Sequence, residues 1–67
     1  MIDITVNGKA RSLPDEMSVL HFLDSLKINP LAVAVELRGE ALTRDRFAHE
    51  VIRDGDELEV VRMMGGG

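Results

Sequence analysis

The chain has no cysteine, no tryptophan and no tyrosine among its 67 residues, and only two prolines. Because cysteine is missing, disulfides, thiolate nucleophiles and cysteine-ligated metal sites are excluded. The two histidines, His21 and His49, are not spaced as metal ligands, so we expect no metal site and a surface or capping position for each. No apolar run approaches the roughly 20 residues that span a bilayer, and no signal-like apolar segment follows Met1. We expect a single small domain in the cytoplasm, without membrane contact.

The charge of the chain is unbalanced toward acid, with 12 Asp and Glu against 8 Lys and Arg and a net charge of −4. A phosphate backbone is repelled by such a surface, so no nucleic-acid partner is expected. Four acidic residues lie close together near the end of the sequence, namely Asp54, Asp56, Glu57 and Glu59. This cluster is typical either of a solvated strand face or of a surface that steers a nearby group toward a basic partner.

Hydrophobic periodicity predicts a hairpin followed by a helix. Apolar and polar residues alternate over residues 2–6, and Asn7-Gly8 is a two-residue turn signal leading into a second strand that ends near Leu13. Ser18 is the predicted N-cap of a helix that ends before Asn29-Pro30. Its buried face repeats at i, i+3, i+4 and i+7, in Val19, Phe22, Leu23 and Leu26.

The second half of the chain predicts further strands. Residues 31–37 alternate as a third strand, Arg38-Gly39 is a turn, and Ala41-Leu42 is a short fourth strand. Thr43 is expected to cap a short helical turn, with Phe47 and Val51 four apart on one side. Arg44, Asp45 and Arg46 are expected to form a solvated edge. The last strand, residues 57–61, follows the turn Asp54-Gly55-Asp56.

These elements predict an α+β domain of the β-grasp, or ubiquitin-like, arrangement. It comprises a mixed four- to five-stranded sheet, one main helix packed across it and a short helical insert, with the last strand in the centre. In that strand Leu58 and Val60 should face the core, which leaves Glu57, Glu59, Val61 and Met63 on the opposite face. We interpret Glu57, Glu59 and Val61, beside Met63 and Met64, as a partner-docking surface.

The sequence ends in Met63-Met64-Gly65-Gly66-Gly67. We therefore divide the chain into a β-grasp domain, residues 1–62, and a flexible glycine-rich tail, residues 63–67. Three glycines without Cβ atoms favour a thin segment that fits a narrow slot on another protein, and five extended residues reach about 17 Å. The alternative is an inert terminal segment.

Four segments carry a family resemblance. They are Ala34-Val35-Glu36-Leu37-Arg38-Gly39-Glu40, Arg44-Asp45-Arg46-Phe47-Ala48, Asp54-Gly55-Asp56 and Val60-Val61-Arg62-Met63-Met64-Gly65-Gly66-Gly67. Their order and spacing resemble the ThiS family, the ubiquitin-like sulfur carriers of thiamine biosynthesis, over essentially the whole chain. The chain departs from the family at Arg38, where Asn often precedes Gly, and at Thr43, where proline is frequent. Neither departure touches the tail.

The resemblance implies a protein co-substrate that is not itself an enzyme and has no catalytic residues. The Gly67 carboxylate would be adenylated by an E1-like, ThiF-like adenylyltransferase that uses ATP and Mg. With sulfur from a donor such as a cysteine desulfurase system, it would become a thiocarboxylate that serves a ThiG-like thiazole synthase. Gly65, Gly66, Met63 and Met64 would thread the partner's channel. The chain would bind no cofactor itself and would be a monomer when free.

Three other functions remain open at this point. The small subunit of molybdopterin synthase shares the fold, the Gly-Gly end and the thiocarboxylate, although it usually has a longer chain and a proline-containing segment before Gly-Gly. A ubiquitin-like modifier would be joined to target lysines through Gly67. A plain binding module would not use its tail at all.

Overall fold

The computed structural model describes residues 1–64. Its eight regular elements are β1 (Ile2–Val6), β2 (Lys9–Leu13), β3 (Met17–Ser18), α1 (Val19–Ser25), β4 (Val33–Leu37), β5 (Glu40–Leu42), β6 (Val51–Ile52) and β7 (Glu57–Arg62). Short 3-10 turns lie at Pro30–Ala32 and Arg44–Arg46. Within these residues, no helix has the length and apolar character that crossing a membrane requires.

The main sheet has five strands in the order β2-β1-β7-β4-β5. β7 pairs in parallel with β1 and antiparallel with β4, so the sheet is mixed and its last strand is central. The predicted β-grasp arrangement is confirmed, because a hairpin, a helix and a returning strand form one layered domain. β3 and β6 form a separate two-stranded pairing that periodicity did not predict.

The core lies between α1 and one face of the sheet. The helix contributes Val19, Phe22 and Leu23, each without exposed area. Strand and loop residues complete the core, namely Ile2, Ile4, Leu13, Val33, Val35, Leu37, Phe47, Ile52 and Leu58. The predicted cap is confirmed, since the Ser18 hydroxyl accepts a hydrogen bond from the His21 N–H at 3.0 Å. The apolar periodicity of the sequence thus identifies the buried face of the helix correctly.

Both hairpins of the main sheet turn through residues with positive φ. Asn7 and Gly8 have φ values of 53° and 80°, and Arg38 and Gly39 have 53° and 82°. These values match the type I′ turn, which suits the twist of the strands but disfavours residues with a long side chain at its first position. Arg38 therefore occupies a backbone conformation that Asn adopts more easily.

Arg38 is held in this turn by its side chain. Its guanidinium donates two hydrogen bonds to the carboxylate of Asp56, from Nε to Oδ1 at 2.9 Å and from Nη2 to Oδ2 at 3.1 Å, and a third to the Val51 carbonyl. The Asp56 carboxylate also accepts from the Arg53 N–H at 2.7 Å. Hydrogen bonding to Asp56 raises the pKa of Arg38 above its ordinary value. These hydrogen bonds thus offset the energetic cost of the positive φ at Arg38.

Three local predictions need correction. The third strand begins at Val33, because Pro30–Ala32 forms a 3-10 turn whose Leu31 N–H is capped by the Asn29 side chain. Val51 does not share a helical side with Phe47; it pairs with Ser18 in a strand. Thr43 precedes the short helical turn but makes no side-chain capping hydrogen bond.

Residues 44–46 form the solvated edge that the sequence predicts, since Arg44 and Asp45 are exposed and the Arg46 side chain is 41% exposed. The structure adds partners that were not predicted. Arg44 donates to the carbonyls of Pro30 and Leu31 at 3.2 and 2.9 Å, a contact that depends on the tertiary fold. Arg46 forms an ion pair with Glu50 four residues later, which is local in the sequence.

Candidate functional site

The candidate site comprises two parts. One is the face of the five-stranded sheet away from α1, which we call the open face, and the other is the point where β7 ends. β7 runs between β1 and β4 and carries the chain to Arg62, with Met63 and Met64 after it. Gly65, Gly66 and Gly67 lie outside the described residues, so the assignments made to them stay predictions. The division between domain and tail also stays a prediction.

The predicted docking residues lie together on the face of the sheet away from α1. Val61 is 58% exposed, and Glu57 and Glu59 are exposed as well. The alternation that puts them there also buries Leu58, which is 1% exposed. Their role in docking remains a prediction, but their geometry provides an apolar side chain flanked by two carboxylates.

Two further residues of this face, Ala34 and Glu36, were not identified as site residues from the sequence. The register of β4 against β7 places Ala34 opposite Val61 and Glu36 opposite Glu59. The apolar side chain of Ala34 extends the apolar area around Val61, and its small size leaves the Val61 side chain exposed. The alternation of β4 assigned both residues to one face, but nothing in the sequence stated which strand β4 pairs with.

The open face has a strongly acidic character. The register assigns Asp3, Glu36, Glu57 and Glu59 to its outward positions. Within the described strands no lysine or arginine occupies such a position, because the register puts Lys9 and Arg11 of β2 and Arg62 of β7 on the α1 side of the sheet. The negative charges are therefore uncompensated within the face, which favours a basic partner surface.

The acidic cluster seen in the sequence divides into two parts. Asp56 is buried, at 8% exposure, and its carboxylate is occupied by Arg38. Asp54 accepts a hydrogen bond from the Asp3 N–H at 2.8 Å, across the turn. Of the four residues, only Glu57 and Glu59 contribute to the open face. Asp54 and Asp56 stabilise the turn instead.

Asn7 fixes β7 close to the docking residues. Its side-chain amide donates to the Val60 carbonyl at 3.0 Å, and its Oδ1 accepts from the Val60 N–H at 2.8 Å. The amide thus replaces a neighbouring strand at a position beyond the parallel pairing with β1, which ends at Val6 and Leu58. The sequence identified Asn7 only as a turn residue, since this contact spans 53 positions.

A shallow groove borders the start of the tail. It measures about 350 Å³ and is lined by Val33, Ala34, Leu42, Thr43, Arg44, Phe47 and Met63. Met63 is 43% exposed, whereas Met64 is 93% exposed. The Met63 N–H also donates to the Ala32 carbonyl at 2.9 Å. Met63 is therefore attached to the domain by backbone and side chain.

The two histidines lie outside this site. His21 and His49 are both exposed, on α1 and after the second 3-10 turn respectively. A separate depression beside α1 is lined by Ser18, Leu20, His21, Asp24 and Pro30. Neither histidine is among the described residues that line the groove beside Met63.

Comparison with known proteins gives consistent results. The ThiS family model matches residues 4–67. The crystal structure of a thiamine biosynthesis protein, ThiS, from Geobacter metallireducens is 38% identical, with a TM-score of 0.86, over 98% of this chain and 100% of that chain. An uncharacterised protein, ycf40, from Pyropia yezoensis is 35% identical over 66 residues, which are 98% of this chain and 93% of that protein.

A longer relative matches as well. A thiazole synthase from Paramagnetospirillum magneticum is 34% identical over 64 residues, which are 96% of this chain but 20% of that protein. The chain thus spans about a fifth of the length of this relative, and the match concerns that part alone.

Proposed function

The chain belongs to the ThiS family, the small sulfur carriers of thiamine biosynthesis, and we propose that Gly67 carries the sulfur as a C-terminal thiocarboxylate. The observation that supports this most strongly is the extent of the family match, which runs from residue 4 through Gly67 and so includes the glycines. The protein would act as a co-substrate of its partner enzymes.

The proposed chemistry has two steps. A carboxylate is a poor electrophile, so an E1-like enzyme first joins the Gly67 carboxylate to the α-phosphate of ATP, and pyrophosphate leaves. A thiol reductant releases a hydrosulfide equivalent from the persulfide of a donor such as a cysteine desulfurase system, and the thiol is oxidised to a disulfide. The hydrosulfide then attacks the acyl carbon. AMP leaves with the bonding electrons, a proton is released, and a thiocarboxylate remains. Magnesium and ATP belong to the activating partner.

The open face of the sheet supports a docking role in this scheme. Val61 and Ala34 provide an apolar centre, and the surrounding carboxylates favour a basic counterpart. Because β7 carries both this face and the tail, docking there would direct the tail into the partner's active site. Gly65 and Gly66 would occupy the narrow channel, where a side chain would collide with the walls.

We propose a ThiG-like thiazole synthase as the partner that consumes the thiocarboxylate. The support comes from the thiazole synthase of Paramagnetospirillum magneticum, a protein five times longer that includes a segment similar to this chain. A single polypeptide with both parts suggests that the two act on the same sulfur atom.

The test is direct chemistry at the C-terminus. The chain is incubated with ATP, magnesium, a ThiF-like enzyme and a sulfur source, and its intact and C-terminal peptide masses are measured. The expected result is exchange of one oxygen for sulfur at Gly67. A chain lacking Gly67 serves as the control and should remain unmodified while its fold is retained.

Other outcomes would assign a different function. An unmodified chain, with the enzyme shown to be active on another carrier, would contradict the proposal. Sulfur transfer from the loaded chain to a molybdopterin synthase large subunit, and none to a thiazole synthase, would indicate the molybdopterin pathway. Isopeptide-linked products in cells that disappear when Gly67 is deleted would indicate a protein modifier.

A further inference from the structure

Within the described residues, backbone pairing between β4 and β7 extends as far as Met63, one residue beyond β7. The Met63 N–H donates to the Ala32 carbonyl at 2.9 Å, which continues the register in which Val33 faces Arg62. The return bond is not made, because the Ala32 N–H donates to the Asn29 carbonyl at 2.9 Å instead. Within residues 1–64, Met63 thus forms the last bond of the ladder, and from one side only.

The backbone groups next to Ala32 are already engaged elsewhere. Pro30 has no N–H, and the Leu31 N–H donates to Asn29 Oδ1 at 2.9 Å. The carbonyls of Pro30 and Leu31 both accept from the guanidinium of Arg44. This segment therefore presents no N–H that could extend the ladder past Met63. The end of the sheet is built by Asn29, Pro30 and Arg44.

We propose that Met63 is a positioning residue, whose bond to Ala32 sets the point from which the sulfur-bearing tail leaves the domain. Arg44 stabilises that point by holding the segment that carries the Ala32 carbonyl. The inference rests on the proposed function of Gly67. If Met63 is held in this way, four residues of the tail, 64–67, follow the last bonded position, and fully extended they would span about 14 Å.

A fixed origin matters because it raises the effective concentration of the carboxylate in a partner's active site. If the Met63 bond is lost, the last bonded position moves back to Val61, which faces Ala34, since hydrogen-bonded pairs alternate along an antiparallel ladder. The tether then lengthens from about four to about six residues, which alone lowers the effective concentration about twofold. Loss of the fixed direction lowers it further.

The first test compares Met63→Pro with Met63→Leu. Proline removes the N–H, whereas leucine keeps the N–H and a side chain of similar volume. We expect kcat for adenylation by a ThiF-like enzyme to fall about twofold to tenfold in Met63→Pro, with an unchanged Kd for the complex. Because Met63→Leu keeps the N–H that bonds to Ala32, its kcat should exceed that of Met63→Pro. A Kd that weakens while kcat is unchanged would make Met63 a docking contact and overturn the inference.

The second test does not depend on adenylation. Arg44→Ala removes the hydrogen bonds to Pro30 and Leu31, and Arg53→Ala is the matched control, because the structure uses only the backbone of Arg53 in hydrogen bonding. Amide exchange at Met63 should accelerate about fivefold in Arg44→Ala relative to the control, with exchange at Leu58 unchanged. Equal exchange at Met63 in both variants would contradict the role of Arg44.

The two failures can be told apart. A wild-type chain that is never adenylated would overturn the proposed function and this inference with it. A wild-type chain that is loaded, together with a folded Met63→Pro variant loaded at the same rate, would overturn this inference alone.

Discussion

Replacing Glu36 or Glu59 by glutamine should stabilise the domain, because the two carboxylates face each other across β4 and β7. The Arg38 N–H donates to the Glu57 carbonyl, so alternation along the ladder makes Glu36 and Glu59 a hydrogen-bonded pair, with Cα atoms about 5.5 Å apart. Two unit charges at about that distance in water repel by about 0.8 kcal/mol. Screening at 0.15 M salt reduces this to about 0.4 kcal/mol.

The predicted gain is large enough to measure. In a domain of this size, about 0.4 to 0.8 kcal/mol corresponds to a rise in Tm of about 2 to 6 °C. The assay is urea and thermal unfolding of Glu36→Gln, Glu59→Gln and the double variant at several salt concentrations. Glu16→Gln, an exposed glutamate in the loop before β3, is the control and should change Tm little.

Repulsion between the two carboxylates makes two requirements of the data. The gain in Tm must shrink as salt increases and nearly vanish at 1 M, where the Debye length is about 3 Å. The second substitution must add less than the first, because the first already removes the repulsion. A salt-independent gain, strict additivity or an equal gain in Glu16→Gln would each show that the pair does not repel.

The same variants should lower the rate of association with the partner while they raise the stability of the domain. If the acidic face steers the domain toward a basic surface, Glu59→Gln should slow association with the activating enzyme, more at low salt than at high salt. Stopped-flow association rates would measure this effect. A variant that is more stable yet slower to associate would show that these carboxylates serve recognition at a cost in stability.

Three further predictions concern other parts of the chain. Arg38→Asn should lower the free energy of unfolding by about 1 to 3 kcal/mol, because the ion pair with Asp56 is lost. In an Asp56→Asn background the same substitution should be neutral or stabilising, because no ion pair remains to be lost and asparagine tolerates the positive φ at position 38. Urea unfolding of the four proteins tests this. Asn7→Gly keeps the turn but removes both bonds to Val60, so we expect a loss of about 1 to 2 kcal/mol and faster amide exchange at Val60, with Asn7→Asp between the two. Gly66→Val should block adenylation without changing Tm, as measured by mass spectrometry and thermal unfolding, and a normal yield of adenylate would argue against a narrow channel.

Features that depend on neighbours in sequence were predicted correctly. The Asn7-Gly8 turn has the positive φ values that type I′ geometry requires. The Ser18 hydroxyl caps α1 three residues ahead, and the alternation in β7 separates Leu58 from Val61. Each follows from periods of 2 or 3.6 residues or from one preferred φ, which the local sequence determines.

Features that depend on distant contacts were missed. The pairing of β4 with β7 places Glu36 opposite Glu59, and no local pattern states which strands are neighbours. Arg44 is exposed as expected, but its hydrogen bonds to carbonyls 13 and 14 positions earlier were not predicted. The two-residue strands β3 and β6 are too short to show a period, so their pairing appears only in the folded chain.

Under the proposed function, the central position of β7 would let so small a domain combine docking with delivery of its tail. A strand at the edge of the sheet would be held on one side, whereas β7 is bonded to β1 and β4 and, at Val60, to the side chain of Asn7. Its outward residues form the acidic face, and its last bonded residue is Met63. A partner that grips this face therefore also fixes the origin of the tail, because both lie on one strand with little freedom to move between them. If Gly67 carries the sulfur as proposed, the contribution of the domain would be to present that residue at a defined distance from a docked surface, and the partner enzymes would supply the catalytic groups.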